Sequence, residues 1–151
     1  MVAAAAAYAT IRAGGEVAYM VPTEILARQH FESFITNFAY LGVKIGLLTG
    51  SDCWKFPSKI DPKTHTEISR SQLFKWVING EIPILIGTQT LIQKTVRWKK
   101  LALTIIDEQH RFGVMQRKRL VGQGQRATRA AVPHLLSMTA TPIPRTLALT
   151  I

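Results

Sequence analysis

The chain has 151 residues, Lys+Arg 19 against Asp+Glu 9, a formal net charge of +10, 47% hydrophobic and 19% charged residues. That balance excludes an intrinsically disordered, collagenous or disulfide-stapled chain and suits one domain with a packed core. Cys53 has no intrachain partner, the start Met1-Val2-Ala3 lacks the basic flank of a secretory signal, and the apolar run Val2–Ile11 is too short to cross a membrane, so a soluble protein of the reducing cytoplasm is expected.

In chain order, helical and strand patterns alternate. Val2–Ala13 predicts a helix stopped by Gly14 and Gly15, and Glu16–Met20 (EVAYM) predicts a buried strand. Glu24–Leu41 predicts a helix that Thr23 caps and Gly42 ends. Pro22 keeps the entry extended, and Ile25, Leu26, Phe31, Phe34, Phe38 and Leu41 form the core stripe. A strand follows at Val43–Leu48. The stretch from Gly50 to Thr66, with two prolines and mixed polarity, reads as a long surface loop. Next come a helix at Ile68–Asn79 closed by Gly80, strands at Ile82–Ile86 and Leu101–Ile106, a short helix around Val114–Val121, a mobile basic stretch from Lys118 to Val132, and a strand at His134–Met138. Strict alternation of this kind argues one α/β domain, a parallel sheet with helices on both faces. Such a sheet should have a strand and a turn in front of the helix at Val2, and none is present.

The charge is unevenly placed. Four cations and no anion lie between Lys94 and Lys100, and no acid follows Glu108. Clustered cations of this sort release counterions from a nucleic-acid backbone and bind it in a salt-dependent way. A solvated face, or an acidic partner domain, accounts for the same pattern.

Candidate chemistry gathers at strand ends. LALTIIDEQHRFG, Leu101 to Gly113, ends a buried strand in Asp107 and Glu108, followed by Gln109 and His110. Open parallel sheets bind ligands beyond the carboxyl ends of their strands. There one carboxylate can hold Mg²⁺ while its neighbour deprotonates an attacking water, which is nucleotide-hydrolysis chemistry. Helix capping explains adjacent acids equally well. SMTATPIPRT, Ser137 to Thr146, places Thr139 and Thr141 around Ala140, with prolines that stiffen the segment; it reads as a relay between neighbouring strand ends or as an ordinary Thr/Pro turn. VPTE (Val21 to Glu24) and GTQTL (Gly87 to Leu91) each put a hydroxyl at a helix start, suited to a phosphate or to capping.

Together, VPTEILARQH, GTQTLIQ, IIDEQHRFGVMQR and SMTATPIPRTLALT resemble motifs Ia, Ic, II and III of the superfamily 2 helicases, in the forms typical of the RecG family. The transcription-repair coupling factors share RFGV and TATPIPRT but usually carry a second Glu where Gln109 stands. The resemblance implies a RecA-like motor domain over residues 1–151, using ATP and Mg²⁺ to act on forked or branched DNA such as stalled forks and Holliday junctions. It implies Asp107 as the Mg²⁺-associated acid, acting through water, and Glu108 as the base. Gln109 and His110 would couple the nucleotide to Thr139, Ala140 and Thr141. Pro22, Thr23, Gly87, Thr88 and Arg145 would meet DNA. The family commonly has His at Gln89, and its phosphate-binding loop, GxxxxGK[ST], occurs nowhere in the sequence. The resemblance therefore implies a fragment that lacks that loop, the second motor domain and the N-terminal wedge domain, and that is inactive alone. A stand-alone, non-enzymatic basic DNA-binding module and a coupling-factor fragment remain alternatives.

Overall fold

The computed structural model describes residues 2–93, 95–107 and 132–139. Helix α1 (Val2–Arg12) leads into strand β1 (Glu16–Met20), then α2 (Glu24–Phe38), β2 (Ile45–Leu48), β3 (Cys53–Phe56), β4 (Thr66–Glu67), α3 (Arg70–Ile78), β5 (Ile84–Gly87), β6 (Leu101–Ile106) and β7 (His134–Ser137). The strands form one seven-stranded sheet in the order β4-β3-β2-β5-β1-β6-β7. From β2 to β7 all neighbours are parallel, while β3 runs antiparallel to β2 and to β4. The expected α/β architecture is present, with a correction: the sheet is mixed, because the stretch read as a surface loop contributes an antiparallel edge.

The helix stops fall at the predicted glycines. Gly14, Gly42 and Gly80 adopt φ of 74°, 66° and 75°, left-handed values that cost glycine little. Helix α2 starts where Thr23 caps it, the Leu26 N–H donating to the Thr23 hydroxyl at 3.3 Å. It closes one turn before the expected end, and a short 3-10 turn, Ala39–Leu41, finishes it.

Helices cover both faces, as the alternation predicts. On one face Ala3 and Ala7 of α1 and Ala27, Phe31, Phe34 and Phe38 of α2 pack on Val17, Tyr19, Ile84, Ile86, Leu103 and Ile105. The alanines let α1 lie close to the strands, and the three phenylalanines each remove a large apolar surface from water, about 1.5–3 kcal/mol apiece. On the other face Leu73 and Val77 of α3, with Leu91, Val96 and Trp98, cover Ala18, Met20, Leu85 and Ile106. Two members of the predicted α2 stripe are misplaced: Ile25 and Leu41 are exposed, at 68% and 39%. Ile25 lies two residues before buried Ala27, about 200° around the helix, and so points away from the core face.

Candidate nucleotide and nucleic-acid site

Parallel strands bring their carboxyl ends to one rim. Pro22 and Thr23 follow β1, Gly87 ends β5, Asp107 follows β6, and Met138 and Thr139 follow β7. The chain leaves β1 for the β2 and β5 side and then crosses back to β6, so the carboxyl end of β1 lies beside the switch in strand order, where open α/β sheets bind ligands.

Asp107 is fixed at that rim by its backbone and its side chain. Its N–H donates to the Met20 carbonyl at 3.0 Å, continuing the β1–β6 ladder. Its carboxylate Oδ2 lies 3.0 Å from His30 Nε2, both groups half-buried. The Tyr19 hydroxyl lies 3.2 Å from His30 Nδ1, and its ring packs on His30 and Phe34 at centroid separations of 4.9 and 5.4 Å. Burial, and then the negative charge of Asp107, push the Tyr19 hydroxyl well above its ordinary range, so it stays protonated. Asp107, His30 and Tyr19 line an open cleft of about 330 Å³ with Val2, Ala3 and Ala4 of the first turn of α1, and Met138 beyond β7.

Asp107 thus faces the start of α1, where unpaired N–H groups and the positive end of the helix dipole favour an anion. Among the described residues no group of three His, Cys, Asp or Glu could hold a metal directly. A single carboxylate at a cleft suits Mg²⁺, which keeps most of its water shell and takes its remaining ligands from phosphate oxygens.

The neighbouring strand ends show how far the expected site assembles. The Met138 N–H donates to the Ile106 carbonyl at 2.9 Å, which sets Thr139 beside the strand that carries Asp107. The two segments read as coupled in sequence therefore do adjoin at their described parts. Glu108, Gln109, His110, Ala140, Thr141 and Arg145 lie outside the described residues, as do the helix expected at 114–121 and the basic stretch up to residue 131.

Thr23 and Thr88 behave differently from each other. Thr23 caps α2, a full helix. Thr88 opens only a 3-10 turn, Gln89–Ile92, without a side-chain cap, and its own N–H is given to the Leu48 carbonyl at 3.3 Å. The expectation of a helix start at Thr88 is corrected to this short 3-10 turn. Gly87 is required by packing, since a Cβ there would collide with the Leu48 carbonyl oxygen. The turn between β2 and β3 is bound to α2: Ser51 donates through its hydroxyl to Glu24 at 2.7 Å, and Arg28 grips Asp52 with two bonds of 2.7 and 3.0 Å. The Ser51 hydroxyl bond chiefly holds the Glu24 carboxyl below its usual range.

The cationic run is placed unlike the rest. Lys99 and Lys100 immediately precede β6, at the opposite end of that strand from Asp107. With about 3.3 Å per strand residue they stand roughly 20 Å from it. Sequence reasoning also passed over His30 and Tyr19. The signal was present: His30 sits four residues before Phe34 on the core-facing stripe of α2, where a histidine calls for a polar partner.

The family model of DEAD/DEAH box helicases matches residues 1–150. The ATP-dependent DNA helicase RecG of Bacillus subtilis (strain 168) is 48% identical over 150 residues, 99% of this chain and 19% of that protein. RecG of Aquifex aeolicus (strain VF5) is 46% identical over 151 residues, 100% of this chain and 17% of that protein. The chain thus spans less than a fifth of the length of these relatives. Among solved structures, RecG bound to a three-way DNA junction superposes with a TM-score of 0.67 at 34% identity, over 98% of this chain and 17% of that one. The yeast DEAD-box splicing factor Prp28 shares the fold, with a TM-score of 0.59 at 15% identity over 90% of this chain and 30% of that one.

Proposed function

Because this chain belongs to the DEAD/DEAH box helicase family, we propose that it is the part of an ATP-dependent DNA helicase motor that prepares water for attack on the terminal phosphate of ATP, in a protein of the RecG type that remodels forked or branched DNA. The observation that carries the reading is Asp107 at the carboxyl end of β6, lining one cleft with the first turn of α1. Asp107 would hold Mg²⁺ through the ion's water shell, and Glu108, next to it in sequence, would take the proton of the attacking water. Mg²⁺, when bound, neutralises the charge that develops on the phosphates. Gln109 and His110 pass the nucleotide state to Thr139, Ala140 and Thr141, for which the adjoining ends of β6 and β7 provide a route.

DNA runs over the rim at Pro22, Thr23, Gly87 and Thr88, and Arg145 is a further DNA contact. The similarity to a RecG bound to a three-way junction favours branched DNA over plain duplex. Stalled forks and Holliday junctions are then the substrates, recombination and repair the setting, and the cytoplasm the compartment, consistent with the unpaired, buried thiol of Cys53. The sequence holds no GxxxxGK[ST], so the triphosphate needs an anchor from outside these 151 residues.

The test is a chimera in which these 151 residues replace the matching segment of the Bacillus subtilis relative. ATP hydrolysis stimulated more by forked than by linear duplex DNA is expected. A folded chimera that binds DNA but hydrolyses no ATP would refute the reading.

A further inference from the structure

We infer that His30 is a positioning residue for Asp107, holding the carboxylate at the cleft and tying it to the helix whose start meets DNA; this rests on the motor reading above. The polarity of the contacts follows from the donors available. An ionised carboxylate only accepts, so His30 Nε2 donates to Asp107 Oδ2 across 3.0 Å. The Tyr19 hydroxyl lies 3.2 Å from Nδ1 and 3.5 Å from Nε2, so it sits against the imidazole ring rather than in line with one nitrogen. The bond to Asp107 therefore sets the tautomer, with the proton on Nε2, and the packing of Tyr19 restrains the imidazole between β1 and the end of β6.

The placement in the fold gives this contact a use. Thr23 caps α2 and His30 lies on the same rigid helix, about 10 Å further along at 1.5 Å per residue. A shift of the helix start is carried through His30 to the carboxylate of Asp107, 77 residues away in sequence. His30 is half-buried at the cleft, beside the buried stripe of Ala27, Phe31 and Phe34. Outer partners of this kind that orient a metal-associated carboxylate are worth about 10–100-fold in metal affinity or activity.

Two measurements test the inference. In the chimera, His30→Leu should raise the Mg²⁺ concentration for half-maximal ATP hydrolysis about tenfold or more, with a smaller change in KM for ATP at saturating Mg²⁺. His30→Gln, whose amide can still donate to Asp107, should recover most of the loss. Equal behaviour of the Leu and Gln variants would overturn the role, because volume alone would then explain both. In the 151-residue chain without nucleotide, imidazole ¹⁵N spectra should show His30 protonated at Nε2, and Asp107→Asn should move that resonance while leaving other histidines unmoved. An unshifted His30 signal would overturn the contact whatever the chimera does. An inactive wild-type chimera would instead refute the motor reading and leave the spectra to decide on His30.

Discussion

Replacing Gly87 by alanine should cost stability before it touches function. The added Cβ falls on the Leu48 carbonyl oxygen, a backbone atom that no side-chain rotation can clear. That carbonyl also accepts from the Thr88 N–H at 3.3 Å and the Thr90 hydroxyl at 2.8 Å, and the Gly87 carbonyl accepts from Val21 N–H at 2.9 Å. Moving β5 from β2 to admit a methyl group strains all three. Overpacking costs about 1–3 kcal/mol, and weakening the three hydrogen bonds adds about 1 kcal/mol, so a loss of roughly 2–4 kcal/mol is expected. For a chain of this size that lowers Tm by about 4–16 °C. Urea and thermal unfolding followed by circular dichroism would measure it. A loss below about 1 kcal/mol would refute the packing argument and return Gly87 to the role of a DNA contact alone.

Thr23→Ala should destabilise α2 by about 0.5–1 kcal/mol, at the low end for a cap because its bond is long, and should weaken DNA binding equally across sequences in a salt titration. Asp52 is held below the usual carboxylate range chiefly by its bonds from Arg28. Its contribution to stability is therefore complete above the ordinary Asp pKa and lost as pH falls through its depressed value, from about pH 4 downward; Asp52→Asn should flatten that part of a stability–pH curve, and an unchanged curve would contradict the pairing. Burial pushes the Cys53 thiol up to about 11, so maleimide should leave it unmodified in the native chain at pH 8 and label it on unfolding.

Much of the sheet was legible because its strands are short apolar runs. Glu16–Met20 and Leu101–Ile106 fall where the pattern puts them, both buried almost throughout. The antiparallel strand β3 was hidden, since Lys55 and Pro57 broke the apolar pattern. Lys55 is nonetheless buried, its ammonium donating to the Pro57 carbonyl at 2.9 Å and lying over the Trp76 ring. Trp54 likewise gains its setting only in three dimensions, stacked on His65 with centroids 4.4 Å apart and packed against Phe31 of α2. At the site, Asp107 could be read from a strand ending in an acid. His30 could not be assigned to it, because helical periodicity marks a face and says nothing of which strand end meets that face. The cationic run told of charge but not of which rim of the sheet would carry it.

Nucleotide binding and hydrolysis by the chimera, with Glu108→Gln and Asp107→Asn set beside the wild type, bear most directly on the motor account. Glu108→Gln should keep binding a fluorescent ATP analogue while its DNA-stimulated hydrolysis drops about 10²–10⁴-fold, the usual contribution of a positioned base. Asp107→Asn should lose hydrolysis together with its response to Mg²⁺. Wild-type turnover in the Glu108→Gln chimera would contradict the account.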